Sequence, residues 1–333
     1  MEPTCIVGFA FKATGTGAFV TNAAGQYLYP YAGLTSLNPV GRNWLLNIRS
    51  GNRGQIIFTL EDNGTIMAWR GENPGTSDPG LIWLGTTSEA LEPGVWYYLE
   101  FKVLINQTVG TVDIRINGVN KLALSGIDTY HDPSPGSFYP TPDVGWDEVV
   151  VGHLTCGAGF VIGQYAGPVI WDFDDLYIAD TLSVTTNDVV DFWGDHRIDA
   201  RIVTADGAMT QMTPVSGSAH YVHVDDLVPD DDATYNTEST PGEIDTFVVE
   251  NAPVAGYNVD AVQVIYLARR SQEGDSLTKP VLRSGSTNYS GAAKGDAQTY
   301  AYNWDIWTKD PGDYSVITDT EWNAMEVGVE KDA

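Results

Sequence analysis

The chain has 333 residues, 43% of them hydrophobic and only 18% charged, a composition that can bury a core and that excludes a disordered chain. Its 17 basic residues stand against 44 acidic ones, for a net charge of −27, which excludes a binder of phosphate backbones. No apolar run approaches the roughly 18 residues of a membrane-spanning helix, and the start Met1-Glu-Pro-Thr-Cys5 lacks the basic-then-apolar pattern of a secretory leader.

The 35 glycines and 11% aromatic residues point to strands and turns. At about 150 residues per domain the length suggests two domains. The best boundary lies near Thr181–Asp191, giving domains 1–185 and 186–333. Acidity is spread over both: residues 1–190 carry 8 basic and 19 acidic side chains, and residues 191–333 carry 9 and 25. Neither half is a detachable acidic tail. Cys5 and Cys156 are too few for a disulfide framework, and neither belongs to a CxxC motif. They read as two buried thiols or one bridge.

In chain order, Ile6-Val-Gly-Phe-Ala-Phe-Lys12 alternates around Val7, Phe9 and Phe11. Gln55–Glu61 and Ile66–Arg70 flank Asn63-Gly64, a pair that tolerates the positive φ angles of a tight hairpin. In Gly94–Ile105, Trp96, Tyr98 and Glu100 fall on one face and Tyr97, Leu99, Phe101 and Val103 on the other. Gly110–Gly118 sets Val112, Ile114 and Ile116 against Thr111, Asp113 and Arg115, and Asn117-Gly118 turns the chain into Lys121–Leu124. Val169–Asp180 is the last strand-like segment, and no helix is expected before residue 190. Regular strands without helices predict two packed antiparallel sheets.

The ordered segments "PGVWYYLEFKV", "GTVDIRINGV" and "WDFDDLYIAD" resemble the concanavalin A-like, laminin-G-like jelly-roll sandwich over about residues 5–180. The second half carries Asp191-Phe-Trp-Gly-Asp-His-Arg-Ile-Asp, His220-Tyr-Val-His-Val-Asp-Asp, Pro229-Asp-Asp-Asp-Ala-Thr-Tyr and Gly242-Glu-Ile-Asp-Thr-Phe. A long strand Val259–Arg270, a return through Thr278–Gly285 and the segment Gln298–Trp307 follow. This ordered set resembles the back half of virion structural proteins of tailed bacteriophages, with Trp193 where leucine is usual. At the end, Thr318-Asp-Thr-Glu321 has capping-box spacing, and Trp322, Met325 and Val329 form a helical stripe. Trp322 and Met325 read either as an assembly contact or as a helix docked on its own domain.

Four constellations bear on chemistry. Asp172 and Asp174 share a strand face, the arrangement that glucanases of the concanavalin-like sandwich use, although no glutamate accompanies them. Asp225, Asp226, Asp230, Asp231 and Asp232 crowd a Pro-containing loop and offer oxygen ligands to calcium, without an EF-hand pattern. His220 and His223 lie in a segment that alternates like a strand and so should point apart, which argues against zinc. Tyr130, Phe138, Tyr139 and Trp146, on or beside the Pro-rich loop 128–142, together with Trp83, could stack on sugar or meet a neighbouring subunit. No nucleophile elbow and no phosphate-binding loop occurs.

The sequence therefore predicts an all-β protein, a concanavalin A-like jelly-roll sandwich followed by a smaller β-domain with a short C-terminal helix. The resemblance implies a non-enzymatic structural component of a tailed-phage particle. Tail fibre or spike comes first, and head or neck decoration second. Other virion proteins, a homotrimeric assembly and a host glycan are the expected partners, with no nucleic acid, no membrane insertion and no cofactor beyond the calcium option. The competing class is a free carbohydrate-binding protein or glycoside hydrolase.

Overall fold

The computed structural model describes residues 4–14, 43–50, 53–61, 63–71, 82–130, 146–154, 170–180, 191–253, 255–271 and 276–332. The chain divides into two compact units, Met1–Ile198 and Asp199–Ala333. Among the described residues the regular structure of both is almost all strand, as the sequence predicts.

The first unit contains β1 (Thr4–Thr14), β2 (Asn43–Ser50), β3 (Arg53–Leu60), β4 (Thr65–Arg70), β5 (Ile82–Ala90), β6 (Tyr97–Leu104), β7 (Gly110–Ile116), β8 (Val119–Ile127), β9 (Glu148–Leu154) and β10 (Ile170–Asp180). They form two five-stranded antiparallel sheets, ordered β10-β1-β6-β7-β8 and β5-β4-β3-β2-β9. The alternation read in the sequence explains the packing. Phe9 and Phe11 of β1, Leu99, Phe101 and Val103 of β6, and Val112, Ile114 and Ile116 of β7 all point into one core. Facing them are Leu46 and Ile48 of β2, Ile56 and Phe58 of β3, and Ile66 and Ala68 of β4. The rings of Phe58 and Phe101 meet across the layers with centroids 4.6 Å apart.

The second hairpin shows why its turn residues are Asn and Gly. Asn117 and Gly118 adopt φ of 50° and 75°, the left-handed region. The Asn117 amide oxygen also accepts the Tyr98 N–H at 2.8 Å, tying the turn to the next strand. Strands β2, β5 and β9 were not singled out in the sequence. The segment IWLGTTSEA of β5 lacks a clean alternation and is bulged against β4.

The outer face of the first sheet is not bare. The Tyr98–Glu100 face of β6, opposite the face that enters the core, lies with Tyr177 under residues Asp191–Ile198. Glu100 is fully buried, and its Oε1 accepts the Tyr177 hydroxyl at 2.8 Å and the Gly194 N–H at 2.7 Å. Trp193 packs tilted against Tyr177, ring centres 5.2 Å apart, and the Arg115 guanidinium lies 4.0 Å from the Phe192 ring centre. The Asp-Phe-Trp-Gly motif is thus a strap laid over a sheet.

The second unit contains β11 (Val203–Thr210), β12 (Thr213–Pro214), β13 (Asn236–Thr237), β14 (Ile244–Val249), β15 (Asn258–Val259), β16 (Val262–Ala268), β17 (Leu277–Ser284), β18 (Thr287–Ser290), β19 (Lys294–Gly295), β20 (Ala301–Trp307), β21 (Ile317–Thr318) and β22 (Glu326–Lys331), with the helix α1 (Asp319–Trp322). The main sheet runs β11-β14-β22-β17-β18, with β19 also on β17. Three two-stranded ribbons, β12-β13, β15-β21 and β16-β20, complete it. A small core gathers Val249, Val262, Val264, Leu282, Ile317, Trp322 and Met325.

Three local expectations are corrected here. The predicted long strand Val259–Arg270 is interrupted: Val259 pairs with Ile317, whereas Val262–Ala268 pairs with β20. The segment around His220 is a 3-10 turn at Tyr221–His223, because the Asp206 carboxylate accepts both the His220 and Tyr221 N–H groups and curls the chain. The predicted helical stripe ends at Trp322. The capping box forms as expected, with Thr318 Oγ1 accepting the Glu321 N–H and Glu321 accepting the Thr318 N–H. The chain then becomes β22, between β14 and β17, so Val329 is a strand residue. Gly328 allows that close approach, since a Cβ there would run into the Asp245 carbonyl.

Candidate functional site

Most polar motif residues of the second unit hold the fold together. Asp245 of Gly-Glu-Ile-Asp-Thr-Phe is buried, and its Oδ1 accepts the Gln211 and Met212 N–H groups at 2.7 and 2.9 Å. Its Oδ2 lies 2.7 Å from His220 Nδ1 and accepts Asn236 Nδ2 at 3.3 Å. His223 is also buried, with Nε2 2.7 Å from the Ser216 carbonyl oxygen. Glu326 accepts the Thr246 hydroxyl and the Ala208 N–H, and lies 3.7 Å from Arg283. Each carboxylate accepts backbone and side-chain donors from separate segments and so ties them together. The two histidines are engaged separately and do not converge.

The acidic loop has a different role. Asp230 Oδ1 accepts the Thr234 N–H and hydroxyl, and Asp226 accepts the same hydroxyl. Asp232 receives Arg269 Nη2 at 2.6 Å and the Tyr300 hydroxyl at 2.9 Å. These two donors hold its carboxyl below the usual range, the Arg269 bond being the larger cause. The Arg269 guanidinium also lies 5.2 Å from the Tyr300 ring centre. Among the described residues no three His, Cys, Asp or Glu side chains form a metal-holding group.

This Asp232–Arg269–Tyr300 cluster borders an open groove of about 670 Å³, within the range of small-ligand sites. Pro229 and Asp231 of the loop form part of its wall, as do Leu267 of β16 and Tyr302 of β20. Strand alternation then extends the groove into a surface. Tyr302, Trp304 and Ile306 point outward from β20, while Asn303 and Asp305 between them are half-buried. Tyr302 and Trp304 are 64% and 51% exposed, unusually high for rings on a strand. Their cross-strand partners on β16 are Leu267 and Ile265, and Ile265 is exposed too. Lys294 Nζ lies 5.8 Å from the Trp304 ring centre and 3.8 Å from Asp305. A row of flat rings beside a groove with hydroxyl, amide and carboxylate groups can stack on and hydrogen-bond a polyhydroxylated ligand. The signal was present in the sequence as Tyr300, Tyr302 and Trp304 at every second residue, but alternation alone does not say which face lies outward.

The aromatic residues proposed from sequence are scattered. Tyr130 is buried in the sandwich core, so it is no surface contact, because the chain at Thr129–Tyr130 folds back under β6 and β7. Trp146 packs partly against the same core, with its indole N–H donating to the Thr4 carbonyl at 2.9 Å. Phe138 and Tyr139 lie outside the described residues, as does Cys156. Cys5 is a buried thiol, its pKa pushed up chiefly by burial. Trp83 is half exposed on β5. Trp322 and Met325 are buried in their own unit, which corrects the assembly-helix reading. Asp172 is tied to Lys12 at 3.0 Å, and Asp174 accepts the Asp175 N–H at a bulge where Asp175 takes φ of 52°.

No family model matches the chain, and no curated protein matches it. Among solved structures, it is similar to an endo-β-1,4-glucuronan lyase from the fungus Trichoderma reesei at 12% identity and a TM-score of 0.35, over 56% of this chain and 70% of that one. It is also similar to a sialidase at 10% identity and a TM-score of 0.25, over 54% of this chain and 13% of that one. Both are enzymes by name, so the expectation that the chain is not an enzyme is withdrawn. At these TM-scores neither likeness transfers an activity.

Proposed function

We propose that this chain is an adhesive β-protein that binds carbohydrate through the Tyr302–Trp304 row and the adjoining groove. The observation that carries the reading is the exposure of two aromatic rings on alternate residues of β20, beside a groove furnished with hydrogen-bonding groups. Exposed rings in a contiguous patch need a partner, and a sugar offers both an apolar face and hydroxyl groups. The test is binding to a glycan panel by the full chain and by Trp304→Ala and Tyr302→Ala. The wild type should bind at least one neutral glycan, and each substitution should weaken it about ten-fold while the melting temperature holds. Wild-type binding that neither substitution changes overturns the reading.

The ordered motifs from Asp191 to Gly285 favour a place for this adhesive on the surface of a tailed-phage particle, in the tail or on the head. There, copies would assemble as a homotrimer beside other virion proteins. Mass spectrometry of purified virions checks the placement: the chain should be present at a stoichiometric level, and its absence ends that part of the proposal.

A further inference from the structure

We propose, resting on the carbohydrate reading above, that the site takes an internal stretch of a neutral, linear glycan and excludes uronic acid polymers. Two independent observations lead there. The first is geometric. Tyr302 and Trp304 stand on one face of β20, and alternate residues of a strand are about 6.7 Å apart. Tyr300 continues the same alternation into the groove and lines its wall. Rings on one face of a strand offer successive stacking places to an extended chain. A single sugar would fill only one of them.

The second observation is electrostatic. An anionic sugar gains most from an uncommitted cation, and among the described residues Arg269 and Lys294 beside the rings each already face a carboxylate. Arg269 is bound to Asp232 at 2.6 Å, and Lys294 lies 3.8 Å from Asp305. Asp231 adds a further carboxylate to the groove wall. The whole chain carries −27, so its field repels polyanions at a distance as well. Nothing comparable opposes a neutral chain. Selectivity against uronates then comes from repulsion and from occupied cations, a specificity built by exclusion.

The experiment uses ladders of one to six residues of neutral glucan, mannan and galactan, with glucuronan and galacturonan ladders of the same lengths, on the full chain. Affinity for a neutral ladder should rise about ten-fold between one residue and three, as the second ring is engaged, and uronate ladders should bind about ten-fold more weakly or not at all. Asp232→Ala releases Arg269 on an exposed surface, and it should narrow the neutral-over-uronate ratio several-fold without altering the dependence on length. Trp304→Phe keeps a ring and should keep the length dependence, whereas Trp304→Ala should lose it. A monosaccharide that binds as well as a hexamer, or a uronate that binds as well as its neutral counterpart, overturns this inference and leaves the carbohydrate reading standing. Failure of every ladder to bind removes both.

Discussion

The two units solve the same problem, holding strands together, with different chemistry. The first buries large apolar side chains between two sheets, and Phe9, Phe11, Phe58 and Phe101 are all essentially inaccessible. The second has a core of few side chains and fills its interior with carboxylates. Asp245, Asp296 and Asp310 are buried, and each accepts hydrogen bonds from the backbone or from hydroxyl groups. The sandwich therefore draws on non-directional burial, which tolerates imperfect geometry. The second unit depends on directional bonds, each of which is expensive to leave unmade. That contrast also explains where the candidate site lies. Strands that are tied by polar staples can leave one face of a ribbon uncovered, as β16-β20 does with Ile265, Tyr302 and Trp304.

Four measurements would break or sharpen this contrast. The largest effect is expected from Phe101→Ala, which removes a ring packed against Phe9 and Phe58 and should cost the first unit about 3–5 kcal/mol in denaturant unfolding. Asp245→Ala should come next. It strands the Met212 N–H and the His220 ring, leaves the Gln211 N–H only its longer bond to the Ile244 carbonyl, and should cost the second unit about 3 kcal/mol, with the first unit's transition unchanged. A loss below about 1 kcal/mol would falsify the view that buried carboxylates hold the second unit.

The alkaline limb tests both units at once. Burial raises the pKa of Tyr98 and Tyr177 in the first unit, and of Tyr266 in the second to about 12. A tyrosine whose folded pKa lies above its unfolded value near 10 stabilises the fold fully below pH 10. That stability is lost as pH rises through the folded pKa. Absorbance titration should therefore show these three rings ionising late or only with unfolding. Early ionisation of Tyr177 would mean that the strap over Glu100 is open in solution.

The smallest effect belongs to Thr318→Ala, which removes one half of the capping box and should cost about 1 kcal/mol. A negligible effect would show that α1 is held by Trp322 packing alone.

Much of the first unit was legible because its core is written as period-two alternation. Val112, Ile114 and Ile116 face inward for the same reason that Thr111, Asp113 and Arg115 do not. Asn117-Gly118 marks its hairpin because few other residues accept two consecutive positive φ angles. The strand β5 was not legible, since bulges against β4 break its alternation and pairing partners decide its place. In the second unit the capping box at Thr318 was readable as a local contact three residues long. The end of that helix was not, because β22 is claimed by β14 and β17, strands distant in sequence.

The site divides along the same line. Local order along the chain determined the all-β class, the hairpin turns and the aromatic spacing at Tyr300, Tyr302 and Trp304, since each depends on neighbours a few residues apart. Tertiary structure alone decided that Asp232 meets Arg269 and Tyr300, that Asp245 meets His220, and that Tyr130 is swallowed by the core. Those outcomes depend on which strands pair and which face is covered, and a one-residue slip in register would reverse every one of those faces.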